Sequence, residues 1–402
     1  MSAIAGALGL LATIAAIVLW VPTTVLLIEI LAAWPTRATR AQIESASPRP
    51  PLAVLMPAHD EALGIGAAIA SVLRQLAPGD RLLVVADNCT DSTAQVAAAA
   101  GAEVVERNDP LRRGKGYALD HGVRHLAARP PAIVIVVDAD CEAHPGSLDR
   151  LTRACAIAAR PIQALYLMRS PPDAVLRTRL AELAWTVKNH VRPLGGLRLG
   201  APCQLMGTGM AFTWSVIATA PLASGHIVED MQLGLDLARA GTPPLFCPDA
   251  LVTSVFPASD EGTTAQRTRW EHGHLGVIFR HGVPTLCRAI AQRRLALLLM
   301  VLDLCVPPLA SLVLLLLAMA GVSALVWAIG GSGAALVVTT VTIAELVSGI
   351  WIAWWRFGRG IVSAGELLSV PAYVVAKIPI YARLLKSRQM EWVRTKRDGS
   401  TK

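Results

Sequence analysis

The chain reads as an α/β protein: an open, mainly parallel sheet set between apolar ends that form about three transmembrane helices and one interfacial helix. Three observations predict this. Residues 51–140 alternate short apolar runs with helical stretches, most of the apolar excess lies at the two ends of the chain, and acidic clusters stand where the short runs stop.

Of the 402 residues, 53% are hydrophobic and only 16% are charged, with a mean hydropathy of +0.49. An ordinary soluble domain is more charged and less apolar. Ala3–Trp34 is almost continuously apolar, with Glu29 its only charge, and it exceeds the roughly 20 residues that span a bilayer. It lacks a basic leading region and is too long for the core of a signal peptide, so it reads as an uncleaved helix. Arg37 and Arg40 follow it, so the positive-inside rule places the N-terminus outside and the next domain in the cytosol. A second apolar region runs from Leu295 to Ile329, interrupted by Asp303 and Pro307-Pro308. After Gly330-Gly331-Ser332-Gly333 a third runs from Ala334 to Trp355. Arg293 and Arg294 precede this pair, and Arg356 and Arg359 follow it, which predicts a hairpin with its tip outside. Residues 362–385 mix apolar positions with Glu366, Pro371, Lys377 and Pro379 and read as an interfacial helix on the inner leaflet. The expected organisation is therefore 1–36 as the first helix, 37–294 as the cytosolic domain, 295–356 as the hairpin, and 357–402 as interfacial helix and basic tail.

The net charge of +8 would raise nucleic acid as a partner in a soluble protein. Here the basic residues flank the apolar segments and fill the tail from Arg383 to Lys402. Anionic lipid headgroups account for them, and no nucleic acid is expected. The seven cysteines form no CxxC pair, which argues against both a disulfide framework and a zinc site. They read as reduced and structural.

Between the membrane parts, Leu52–Met56, Arg81–Ala86, Ala102–Glu106 and Ile133–Val137 are short and apolar on both faces, as buried parallel strands are. Glu61–Gln75, Asp91–Ala100 and Gly116–Ala128 read as the helices between them, and the alternation implies an open α/β sheet. Ligands of such sheets lie beyond the carboxyl ends of the strands. His59-Asp60-Glu61, Asp87-Asn88-Cys89-Thr90-Asp91 and Asp138-Ala139-Asp140 follow three of these strands. Asp91 alone reads as a helix cap. Together the clusters favour a metal-assisted nucleotide site, because carboxylates beside phosphates need a cation between them. Arg113-Gly114-Lys115-Gly116-Tyr117 lacks the Walker A spacing, and no HExxH is present, so ATPase and zinc-protease readings fall away.

With these clusters on the page, the chain resembles the family 2 glycosyltransferases, which have the GT-A nucleotide-sugar fold. The resemblance covers about residues 51–275 and rests on Pro57-Ala58-His59-Asp60-Glu61, Asp87, Asp138-Ala139-Asp140, Val228-Glu229-Asp230 and Gln266-Arg267-Thr268-Arg269-Trp270, in the family's order. The QxxRW pattern is similar to the membrane-integrated branch of cellulose, chitin and hyaluronan synthases, bacterial exopolysaccharide enzymes and ceramide glucosyltransferases. The resemblance implies a nucleotide-sugar donor, foremost a UDP-sugar, and a divalent cation, Mg²⁺ or Mn²⁺. Asp87, Lys115, Asp138, Glu61 and Arg269 would bind the donor, and Asp140 the metal. Asp230 would be the general base with Glu229 beside it. Trp270 and Gln266 would meet the acceptor. Gly207-Thr208-Gly209 reads either as the acceptor floor or as a turn.

The chemistry suits these residue types. A sugar hydroxyl needs a carboxylate to take its proton, and Asp230 opens a probable helix, Asp230–Ala240, whose N-terminus favours the ionised form. One base with direct attack predicts inversion. His272 and His274, at i and i+2, read as surface or packing residues. The expected function is an inverting hexosyl- or N-acetylhexosaminyltransferase acting on a cell-surface polysaccharide or its lipid-linked precursor at the inner membrane, with membrane lipids as partners. Two alternatives stand: a glycolipid synthase with a ceramide- or diacylglycerol-type acceptor, and a non-catalytic transporter or scaffold. The latter would pair charges within the spans, where Glu29, Asp303 and Glu345 are the candidates. About three spans are fewer than polymer-exporting synthases carry, so a self-contained channel is not expected.

Overall fold

A computed structural model describes residues 2–34, 48–226, 228–257, 270–375 and 378. They fall into two compact units.

The first is built on an eight-stranded sheet. Its strands are β1 (Leu52–Ala58), β2 (Arg81–Asp87), β3 (Glu103–Arg107), β4 (Ile133–Val136), β5 (Glu142–Ala143), β6 (Ile162–Arg169), β7 (Met210–Thr213) and β8 (Leu245–Val255). Their order is β3-β2-β1-β4-β7-β6-β8-β5. The first four pair in parallel, and their apolar residues in β1, β2 and β4 are buried almost throughout, as a sheet covered on both faces requires. The four expected strands and the helices Ile65–Leu73, Thr93–Ala99 and Lys115–Leu126 stand where the alternation predicts.

The second half of the sheet is mixed. β7 runs antiparallel to both β4 and β6, β6 and β8 are parallel, and β5 is antiparallel to β8. Ala164 faces Cys247 whereas Leu165 faces Leu251, so Pro248-Asp249-Ala250 bulges out of the ladder. A proline cannot donate to it. On one face Leu119, Val123, Leu126, Leu233 and Leu237 pack over Leu55, Leu83, Val85 and Val136. This core fixes the helices Lys115–Leu126 and Glu229–Ala240 on the sheet, and with them the residues at their N-termini.

The other unit contains Met1–Trp34, Val175–Gly200 and His274–Arg388. Three of its helices are long and apolar enough to cross a membrane: Ile4–Ala32, Leu309–Ala328 and Ala334–Gly358. The second apolar region of the sequence is split by Pro307-Pro308 into Leu295–Leu304 and Leu309–Ala328. Proline lacks the N–H that a continuous helix would need there. Leu26 and Ile30 of the first helix pack with Leu312, Leu316 and Leu346. Within 362–385 the chain forms Ala364–Leu367, opened by a Ser363/Glu366 capping box, and Val370–Val375. Of that segment, residues 376, 377 and 379–385, together with Arg37, Arg40 and the basic tail, lie outside the described residues.

Candidate active site

Asp138 and Asp140 follow β4, and Lys115 is the first residue of the helix Lys115–Leu126. The Lys115 ammonium stands 2.5 Å from Asp138 Oδ1 and donates to the Gly207 carbonyl at 2.8 Å. Thr208 Oγ1 accepts the Asp138 N–H at 3.1 Å. Gly207 has φ +89° and lies at the centre of the group. A Cβ built there would sit 3.4 Å from Asp230 Oδ2, 3.5 Å from Lys115 Nζ and 4.0 Å from Asp138 Oδ2. Three chain segments thus bring three of the expected residues, Lys115, Asp138 and Asp230, around one glycine of a fourth. Glu229 and Asp230 form the first turn of the helix Glu229–Ala240, which Gly241 closes with φ +103°.

Several acidic side chains share this cluster. One ammonium faces the carboxylates of Asp138, Glu229 and Asp230, with Asp140 also acting on Asp138. Burial works against the charge on Lys115, but Asp138 and Glu229 outweigh it and hold the ammonium above its ordinary value. Burial raises Asp138 despite the attraction of Lys115. Burial, and then the negative charge of Asp230, push Glu229 up to about 7.

The donor atoms of Asp138, Asp140 and Cys141 lie within 4.8 Å of one another. Burial drives the Cys141 thiol well above its usual range, and sulfur is a softer donor than the oxygens that Mg²⁺ and Mn²⁺ take. The two carboxylates that remain are hard oxygen donors of the kind Mg²⁺ and Mn²⁺ take. The donor set therefore fits a hard divalent cation held by Asp138 and Asp140.

Asp87 ends β2, and its Oδ1 accepts from Arg107 Nη1 at 2.6 Å and from Asn88 Nδ2 at 3.0 Å. Glu61 stands in the turn after β1, where its N–H donates to Thr93 Oγ1 at 2.8 Å. Asp91 accepts the Thr93 N–H at 2.9 Å and so holds the helix start. Trp270 is half-buried and lies in a helical stretch described over 270–277. Gln266 and Arg269 lie outside the described residues. His272 and His274 are both buried, and His274 Nε2 donates to the Leu304 carbonyl at 2.9 Å, a packing role.

Two residues of the sequence gain weight only in three dimensions. Gln163, fully buried in β6, donates to the Thr208 carbonyl at 2.9 Å, and its Oε1 accepts the Met206 N–H at 2.8 Å. It pins the loop that carries Gly207. Its signal was a single amide in an otherwise apolar run, Ile162–Met168. Arg107 meets Asp87 because the two are register partners on neighbouring parallel strands, which no linear spacing reveals. The acidic residues of the apolar unit have partners as well. Arg192 binds Glu29 and Asp303, and Trp20 and Thr24 donate to Glu345.

Residues 48–273 match the family described as "Glycosyltransferase like family 2". Among curated proteins, the chain is 41% identical over 109 residues to a glucosyl-3-phosphoglycerate synthase of Mycolicibacterium paratuberculosis, an alignment covering 25% of this chain and 32% of that protein. It is 26% identical over 240 residues to the protein named probable glucomannan 4-beta-mannosyltransferase 10 of Arabidopsis thaliana, covering 56% and 43%. The chain thus spans less than half the length of these two relatives. In fold it is similar to a mannosyltransferase of Pyrobaculum calidifontis, solved in complex with GDP-Man and Mn²⁺, with TM-score 0.53 and 19% identity over 93% of this chain and 99% of that one. The α/β architecture, the strand-end carboxylates and a family match over more than half of the 402 residues agree, and the chain belongs to glycosyltransferase family 2.

Proposed function

We propose that the chain is an inverting, metal-dependent glycosyltransferase that moves a sugar from a nucleoside-diphosphate donor to a cell-surface polysaccharide or its lipid-linked precursor at the inner membrane face. The observation that carries this reading is the convergence of Lys115, Asp138 and Asp230 on Gly207. It brings one ammonium and two carboxylates within 4.0 Å of the Cβ position built at Gly207, the residue types that this chemistry needs. The names of relatives that act on glucosyl and mannosyl groups support a hexosyl donor.

In this reading Asp138 and Asp140 hold the divalent cation, which when bound neutralises the diphosphate and makes it a better leaving group. Lys115 pairs with the same diphosphate, exchanging its Asp138 contact for phosphate oxygens. The acceptor hydroxyl approaches the anomeric carbon from the side away from the diphosphate. Its proton passes to Asp230 as the new C–O bond forms and the bond to the diphosphate oxygen breaks. That single displacement inverts the anomeric centre. Arg269 would add positive charge beside the diphosphate, and Trp270 and Gln266 would seat the acceptor, an aromatic face being a flat apolar platform for a sugar. The apolar helices would keep the domain at the bilayer, where a lipid-linked acceptor is found.

The test is nucleotide release by the full chain in detergent with membrane lipids, Mg²⁺ or Mn²⁺, and a panel of UDP- and GDP-sugars. Release should need acceptor and cation, stop in excess EDTA, and be lost in Asp140→Ala. Undiminished release in EDTA would remove the metal assignment, and no release with any donor would remove the transferase reading.

A further inference from the structure

We propose that Gln163 is a positioning residue for sugar transfer: its amide bridges Met206 and Thr208, the two neighbours of Gly207, and so aims the Gly207 carbonyl at the Lys115 ammonium. This deepens the transferase reading above and rests on it.

Gln163 lies in β6 and is fully buried. A primary amide in such a place is costly unless its polar atoms find partners, and an apolar side chain of the same length would avoid that cost. The partners explain why an amide stands there. Its Oε1 accepts the Met206 N–H at 2.8 Å, and its Nε2 donates to the Thr208 carbonyl and to the Ala164 carbonyl, both at 2.9 Å. The contacts to Met206 and Thr208 straddle Gly207. Glycine has the widest backbone freedom of any residue, and fixing the residue on each side removes that freedom at φ +89°. The strand ladder takes over at Gly209, where the Ala164 N–H donates to the Gly209 carbonyl and the Gly209 N–H to the Val136 carbonyl, both at 2.8 Å. Thr208 is fully buried as well, and its Oγ1 accepts the Asp138 N–H at 3.1 Å. The same bridge therefore steadies the backbone of a proposed metal ligand.

The consequence falls on Lys115. An ammonium carries three N–H donors in fixed relative directions. Lys115 directs one at Asp138 Oδ1, at 2.5 Å, and one at the Gly207 carbonyl, at 2.8 Å. In the proposed reaction Lys115 exchanges its Asp138 contact for phosphate oxygens, so the Gly207 carbonyl is the contact that keeps its aim. Charge on the diphosphate grows as the bond to the sugar breaks. A misaimed ammonium therefore costs more in turnover than in donor binding.

A double-mutant cycle on nucleotide release tests this, with the full chain in detergent, Mn²⁺, and whichever UDP- or GDP-sugar the wild type uses. Gln163→Met keeps the length of the side chain and loses both loop contacts. It should lower kcat by about tenfold and leave the donor KM within about threefold of the wild type. In a Lys115→Met background the same change should lower kcat by less than about twofold, because no ammonium is left to aim. Gln163→Glu keeps an acceptor for the Met206 N–H but loses the amide N–H donors, so its kcat should fall between wild type and Gln163→Met. If Gln163→Met fails to fold, the cycle is run with Gln163→Glu. An equal fall in kcat with and without Lys115 overturns the proposal, since Gln163 would then support the fold without acting through the ammonium. A Gln163→Met variant that turns over like the wild type also overturns it. Both results leave the transferase reading standing, whereas a wild type that releases nucleotide from none of the donors removes that reading and this proposal together.

Discussion

Two sets of charges sit in protected places in this molecule, one in each compact unit, and they are built on opposite principles. In the apolar unit Arg192 donates through Nε to Glu29 at 2.8 Å and through Nη2 to the Asp303 carboxylate at 2.5 Å and carbonyl at 2.7 Å. The planar guanidinium is used along two edges, and the partners are largely withdrawn from solvent. In the sheet unit the Lys115 ammonium faces the carboxylates of Asp138, Glu229 and Asp230, with Asp140 beside Asp138. The first cluster ties three chain segments together and serves the fold. The second gathers carboxylates around one ammonium at a strand end and two helix N-termini, where a sheet of this kind takes its ligand.

The contrast predicts that breaking the first cluster damages stability and breaking the second damages chemistry. Removing one partner of a buried ion cluster leaves charges without compensation and costs about 3–5 kcal/mol, whereas a neutral replacement of the whole cluster is often tolerated. Arg192→Met should therefore lower the thermal midpoint in detergent strongly. Glu29→Gln, Arg192→Met and Asp303→Asn combined should recover most of the loss. A triple variant as unstable as the single one would show that the cluster is not self-contained.

For the second cluster, Asp230→Asn removes a proton acceptor but keeps shape and polarity. Turnover should fall by about 10² or more, the range for a positioned general base, with the thermal midpoint and donor affinity nearly unchanged. Turnover like the wild type would move the base elsewhere, with Glu229 the next candidate. A loss of donor binding in step with rate would make Asp230 a donor ligand instead.

Glycines of the same backbone type sharpen the distinction further. Gly207 and Gly241 both have positive φ, but a Cβ at Gly241 meets nothing within 4 Å, whereas one at Gly207 touches Asp230 and Lys115. Alanine at either position carries the left-handed strain of about 1–2 kcal/mol. Only Gly207→Ala should also slow turnover, by about tenfold, because its methyl would fill space between the proposed reacting groups Asp230 and Lys115. Equal turnover in the two variants would separate Gly207 from the chemistry.

Much of this cluster was legible in the sequence because parallel βα repeats write their own punctuation. A buried run such as Ile133–Val136 gives way to polar residues, and the carboxylates of Asp138 and Asp140 appear just beyond it, where such sheets place their ligands. The second half of the sheet hides its strands. Ile162–Arg169 is eight residues of apolar sequence with one amide, which helix and strand fit equally. Leu245–Val255 carries Pro248 and Asp249 inside a strand that accommodates them only by bulging. Arg107 and Gln163 could not be singled out for the same reason: their partners are set by register and by a loop that returns from 43 positions away or more. The apolar helices were plain from length and hydropathy, but the Arg192 cluster joins positions 163 and 111 residues apart.

The smallest effect tests whether the apolar unit's packing also has a titratable edge. His274 is buried, its Nε2 bonds the Leu304 carbonyl, and Lys188, Arg192 and Asp303 are the charged groups acting on it. Burial first, and the positive charge of Lys188 next, lower it from 6.5 to about 3. The folded chain therefore keeps this histidine neutral while the unfolded chain protonates it near its ordinary value. Its contribution is fully present above about pH 6.5 and is lost as pH falls toward 3, with the unfolded state binding the extra proton. By pH 5.5 the loss is about 1 kcal/mol relative to neutral pH. His274→Gln keeps an N–H donor for the Leu304 carbonyl but cannot take up a proton. Its thermal midpoint should fall less than that of the wild type between pH 7 and 5.5, although carboxylates elsewhere shift both curves. The difference between the two profiles isolates the histidine, and parallel profiles would mean that His274 ionises in the folded chain as readily as in the unfolded one.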